Sequence, residues 1–217
     1  MSRPADPFPS NQLATQASRI EGAALDVAQL PSYAFGARSV MWWGTMGLVA
    51  VEGTVFALAV MAYFYLRTNA DEWPMGVPPP KLVWGTLNLA IIILSAWPNW
   101  WTKRVAEAHD LGRTRAGLLV CLVFELAAIA LRALEFTVLN CAWDTNAYGS
   151  IVWLILGLHT LHLVTDFVDS AVLYALMLDD PVCGKSFVDV TENAVYWNFV
   201  ILAWIPIYIV VYWGGRV

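Results

Sequence analysis

Five stretches of the chain stay apolar for longer than a bilayer's hydrocarbon core is thick, and short polar segments separate them. A membrane-spanning helix needs about 20 such residues, each adding about 1.5 Å of rise. The pattern predicts spans near Met41–Leu66, Leu82–Trp101, Arg115–Leu139, Tyr148–Leu178 and Val190–Trp213. The connections Asn69–Pro80, Lys103–Arg113, Asn140–Asn146 and Asp179–Asp189 are Pro-rich, charged or polar. The fold class expected is all-α, an integral membrane bundle of five transmembrane helices filling residues 39–217. No internal repeat of the inverted-transporter kind is visible. Residues 1–38 are polar and contain Pro without the apolar core of a signal peptide. A largely disordered cytoplasmic N-terminal tail is expected there.

Polar residues interrupt the apolar runs at chosen places. The fourth span, IVWLILGLHTLHLVTDFVDSAVLYALML, carries His159, His162, Asp166 and Asp169 at hydrocarbon depth. Steps of 3, 4 and 3 residues put all four on one helical face, with Leu156, Leu163 and Phe167 on the other. A one-sided polar stripe needs neighbouring helices to receive it, which argues for a bundle. The third span carries Glu125, Arg132 and Glu135. An intramembrane arginine needs a carboxylate, and Glu135 lies within i,i+3 reach. With the third and fourth spans antiparallel, Arg132 meets the depth of the histidines. One network of Glu135, Arg132, His159 and His162 is expected, with Asp166 deeper. Glu52 in the first span admits two readings: a proton-carrying or lipid-contacting acid, or an acid hydrogen-bonded to a neighbouring helix.

Composition narrows the class. The chain of 217 residues is 59% hydrophobic and only 13% charged, about half the charge of a soluble domain. Its net charge of −5 argues against nucleic acid as a partner. Twelve tryptophans sit mainly near span ends, as interfacial anchors do. Lys and Arg number eight on the side of the tail and the second and fourth connections, against three on the other side. That bias places the N-terminus inside and the C-terminus outside.

Candidate redox or hydrolytic chemistry is thin. Cys121, Cys141 and Cys183 have no paired spacing. There is no Gly-x-Ser-x-Gly, His-Glu-x-x-His or phosphate loop. His159 and His162 have a spacing that can share a metal, but the remaining histidine, His109, lies in a connection. No metal and no redox centre are expected on this chain.

Three passages resemble subunit III of the haem-copper terminal oxidases, the cytochrome c oxidase subunit III family, in a five-helix form. The first span resembles that family's helix with a mid-membrane glutamate, here Glu52. The passage YGSIVWLILGLHTLHLV is similar to the family's Tyr-Gly-Ser and Gly-x-His-Gly-x-His-Val, matched at Gly157, His159 and His162 and nearly at Leu163. The closing YWNFVILAWIPIYIVVYWGG matches at Tyr196, Trp197, Phe199, Val200, Trp204, Tyr208, Tyr212, Trp213 and Gly214. Glu135 in ALRALEF matches a family glutamate. The resemblance runs from about Met41 to the C-terminus, without the two additional N-terminal helices of seven-helix members.

The resemblance implies a non-redox subunit of a bacterial respiratory oxidase in the cytoplasmic (inner) membrane. It implies binding to subunit I, with subunit II, in a hetero-oligomeric complex of aerobic electron transport. Haem and copper belong to those partners. The implied roles are stability, assembly and support of proton uptake, with contacts to phospholipid. Asn198 and Ile201 stand where the family has His and Asp, and Asp166 where it has glycine. Asp166 is expected to take over the lost contacts by reaching Asn198. Two other readings remain: the accessory subunit of a nitric oxide reductase, and a stand-alone proton or small-ion carrier using Glu52 and Asp166.

Overall fold

The computed structural model describes residues 33–179 and 184–216. The disorder expected for the tail falls almost wholly on residues 1–32, outside the described residues, as does Cys183. Residues 33–39 lead through a 3₁₀ turn, Gly36–Arg38, into the first helix.

Five long helices follow: α1 (Val40–Thr68), α2 (Leu82–Glu107), α3 (Leu111–Thr137), α4 (Ala147–Leu178) and α5 (Gly184–Tyr208). A π-helical turn, Ile209–Trp213, prolongs α5. Each of the five is long and apolar enough to cross a membrane. Polar residues at the edges of the apolar runs start three of them. Ser39 accepts from the Met41 amide, Asp110 from Arg113 and Asn146 from Gly149. Each cap satisfies an amide that the helix itself leaves unpaired.

The helices outrun the apolar windows furthest at two places. α2 continues to Glu107 and α5 begins at Gly184. Hydropathy marks only the part that must lie in hydrocarbon. A helix that reaches into the headgroup layer keeps its hydrogen bonds while carrying Lys103, Arg104 or Lys185. Pro98 and Pro206 lie inside α2 and α5 without ending them. Pro98 sits on the buried face of α2, where Thr102 and Asn99 next to it bond to backbone carbonyls of Pro98 and Ala194.

Helices α2, α3, α4 and α5 close a ring in which each packs on the next and α5 returns to α2. α1 lies outside the ring against α4 and α5. It buries only Phe56, Ala59 and Tyr63. The outer surface is apolar: Val51, Leu58, Leu94, Trp97, Leu154, Leu161 and Leu202 are all exposed. In water such a surface would be a liability, whereas in lipid it is the expected one. The polar groups are inside instead, among them Asn88, Asn99, Glu125, Arg132, Glu135, His159 and Asp166.

Hydrogen bonds identify the two ends of the bundle. At one end Asn140 bonds to the Pro79 carbonyl, Asn146 to Met75 and Arg216 to Pro80. This C-terminal end therefore gathers the α1–α2 and α3–α4 connections and the last residues. At the other, N-terminal end Tyr33 meets His109 at 3.2 Å, and Arg115 donates to the Met177 carbonyl at 2.6 Å.

Candidate functional site: two polar networks and an acidic cleft

The first network spans α3, α4, α5 and α2 toward the C-terminal end. Arg132, fully buried, donates from Nη1 to Glu135 Oε2 at 2.9 Å, one helical turn along α3. Its Nη2 lies 3.3 Å from His159 Nδ1 on α4. Arginine has no lone pair, so Nδ1 must accept, and the ring proton sits on Nε2. Nε2 then donates to the Val200 carbonyl of α5 at 3.2 Å. Both nitrogens of His159 are thereby occupied in clasping α3 to α5. The guanidinium lies over the Trp204 ring, 3.8 Å from its centroid, a favourable place for a desolvated cation.

Glu135 completes the clasp. Its Oε1 accepts from Tyr212 in the π-helical turn, and its Oε2 faces Asn88 Nδ2 of α2 at 3.4 Å. Gly85 makes room for this tyrosine, because a Cβ there would collide with the Tyr212 ring.

The second network lies nearer the N-terminal end. Ser170 on α4 donates to Glu125 Oε1 on α3 at 3.0 Å. Asn193 Nδ2 on α5 is 3.2 Å from Ser170 Oγ and 3.4 Å from Asp169 Oδ2. The middle of the bundle thus has a polar rivet joining three helices.

His162 leaves the first network. Its Nδ1 donates to the Leu158 carbonyl at 2.6 Å, and its Nε2 is 3.5 Å from Glu52 Oε2. The same carboxylate oxygen accepts from Tyr196 at 2.7 Å. Glu52 therefore ties the peripheral α1 to α4 and α5. Phe56 packs against His162 with tilted rings, centroids 4.8 Å apart, and also approaches His159 at 6.3 Å. It separates the Glu52–His162 group from the Arg132–His159 group.

The structure redistributes the residues singled out in the sequence. Glu135, Arg132 and His159 come together as expected, while His162 turns to Glu52. The expected contact between Asp166 and Asn198 is not made. Asn198 is exposed and accepts from Asn99 of α2 at 3.3 Å. Position 198 is five residues beyond Asn193, which faces α4, and at about 100° per residue that turns it well away. Asp166 is 1% exposed, and neither of its oxygens has a hydrogen-bond donor among the described residues.

Tyr196, Tyr212, Asn88, Ser170 and Asn193 were not singled out as site residues. Neutral amides and hydroxyls do not interrupt an apolar window as charges do, and interfacial tyrosines look alike whether or not they reach a carboxylate.

Between α1, α4 and α5 lies a cleft of about 650 Å³. It is lined by Glu52, Asp166, Asp169, Asp189, Glu192 and Asn193, with Leu48, Val172 and Leu173 as apolar walls and Lys185 as the only base among the described residues. It runs from the start of α1 at Met41 to Glu52, about 16 Å at 1.5 Å per residue.

A bundle with an apolar exterior and a clasped polar interior defines a multi-pass helical membrane protein. Among the described residues, no three His, Cys, Asp or Glu side chains converge to hold a metal. The chain belongs to the cytochrome c oxidase subunit III family, whose sequence profile matches residues 37–216. Similar relatives include cytochrome c oxidase subunit 3 of Chondrus crispus, 22% identical over 77% of this chain and 65% of the relative. That of Drosophila melanogaster is 23% identical over 80% and 69%, and that of Saccharomyces cerevisiae 24% over 79% and 66%. The chain thus spans about two thirds of the length of these relatives.

Proposed function

We propose that this chain is a non-redox subunit III of a respiratory haem-copper oxidase, bound to the catalytic subunit that carries haem and copper. Its role is to stabilise and assemble that complex and to support its proton uptake. Family membership supports the assignment. The observation that carries the non-redox part is His159, whose two ring nitrogens are both engaged in holding helices together. His162 likewise spends Nδ1 on its own helix. Neither is presented as a ligand pair. The orientation that fits the Lys and Arg distribution puts the N-terminal end inside. With a bacterial source, the membrane is the cytoplasmic one.

A stand-alone carrier is less well supported. The cleft ends at Glu52, and beyond it stand His162, Phe56 and the Arg132 guanidinium, a steric and an electrostatic barrier to a cation.

Affinity purification of the tagged chain in mild detergent tests the assignment. A co-purifying multi-span subunit with a haem a- or haem o-type spectrum is the expected result. A chain that purifies alone, or with a nitric oxide reductase subunit, overturns it.

A further inference from the structure

The cleft between α1, α4 and α5 has an unusual hydrogen-bond imbalance. Asp166 lines it, is 1% exposed and has two oxygens without a donor among the described residues. Asp189 Oδ1 and Glu192 Oε2, on the opposite wall, are buried and donorless as well. As carboxylate oxygens all four atoms accept and none donates. Buried carboxylate oxygens left this way are costly, and a guest that brings several N–H groups removes the cost. Charge points the same way: among the described residues, the five acids Glu52, Asp166, Asp169, Asp189 and Glu192 share the cleft with one base, Lys185.

A bare metal ion does not fit. The acids are distributed along the walls rather than converging, and no three of them form a metal-holding group. The volume of about 650 Å³ is instead typical of a small-molecule site. Leu48, Val172, Leu173 and Leu176 supply an apolar strip beside the acids. A guest must therefore combine a cationic donor with an aliphatic stem.

We infer that the cleft between α1, α4 and α5 binds a primary alkylammonium group, with Asp166 receiving the ammonium and the leucine and valine walls holding the methylenes. The shared chemistry has two sources, a soluble aliphatic diamine and the aminoethyl headgroup of a membrane phospholipid. A charge-assisted bond from ammonium to carboxylate is about twice as strong as a neutral one, and a desolvated setting favours it further. The inference does not depend on the oxidase assignment, since binding is read on this chain whichever subunit co-purifies.

The test uses the full chain within the complex it co-purifies with. Calorimetric titration with 1,4-diaminobutane should give saturable binding, and 1,4-butanediol, its uncharged counterpart, should give none. Asp166→Asn should weaken diamine binding at least tenfold and Glu192→Gln severalfold, while Glu72→Gln, an exposed acid in the α1–α2 connection, leaves it unchanged. Native mass spectrometry from nanodiscs of equal phosphatidylethanolamine and phosphatidylcholine separates the sources. Retention of phosphatidylethanolamine that Asp166→Asn abolishes assigns the headgroup; diamine binding without such retention assigns the soluble amine. Should the Asn variant not fold, Glu192→Gln gives the same reading at the other wall. The inference is overturned if neither probe binds, if both bind the variants as well as the parent, or if sodium chloride at equal ionic strength displaces the diamine equally well.

Discussion

Arg132 offers five N–H donors and accepts nothing, so its surroundings must be acceptors or a π face. Glu135, His159 Nδ1 and the Trp204 ring meet most of that demand, while Nε has no acceptor among the described residues. Removing one member of a buried pair strands the other, at about 3–5 kcal/mol. Arg132→Met should therefore lower the thermal midpoint of the purified complex sharply. The double variant Arg132→Met/Glu135→Gln should recover a substantial part, because a neutral amide still pairs with Tyr212. Equal losses in single and double variants would mean that the charge pair is not what matters. At Glu52 the scale is smaller. Hydrogen bonds between membrane helices average about 0.6 kcal/mol and reach about 1.7. A double-mutant cycle of Glu52→Gln with Tyr196→Phe should give a coupling in that range, read from denaturant midpoints. A coupling near zero would detach α1 from this anchor.

At the scale of elements, the helices meet where small residues let them approach. A Cβ at Gly117 of α3 would collide with Thr102 of α2, and one at Gly85 of α2 with Tyr212. Both glycines sit on buried faces. Overpacking a tight contact costs about 1–3 kcal/mol. Gly117→Val should therefore destabilise the α2–α3 pair by that amount, while Gly47→Val on the exposed part of α1, where a Cβ meets nothing within 4 Å, should be near neutral. Thermal unfolding of the two variants side by side checks the contrast. The cost at Gly117 is a steric one, so lengthening the side chain to Leu should deepen it.

For the whole molecule, the five spans were legible in hydropathy, because a bilayer demands an uninterrupted apolar length. The Arg132–Glu135 pair was legible from its i,i+3 spacing, and its link to His159 from comparing depths along antiparallel helices. Depth, however, says nothing about rotation. Which way α5 turns its face decided that Asn193, not Asn198, meets α4, and that His162 meets Glu52. That rotation is set by packing of Trp197, Val200, Trp204 and Ile207, all buried, and no single position announces it. The helix ends beyond the hydrocarbon were missed for a related reason, since charge and helix coexist in the headgroup layer. With α1 outside the ring, deleting residues 1–69 should leave α2–α5 inserted and protease-resistant, whereas an equivalent deletion of α3 should not. Limited proteolysis in membranes distinguishes the two.

The peripheral position of α1 also has a consequence in time. α1 leaves the ribosome before α2–α5, yet both of its polar partners are made far later. His162 follows Glu52 by 110 residues and Tyr196 by 144. At about 5–20 residues per second, Glu52 waits for seconds in lipid with neither partner yet made. During that interval the first helix is the element most open to capture by another chain, and any dedicated insertion factor for this protein would have the most to gain by shielding it there.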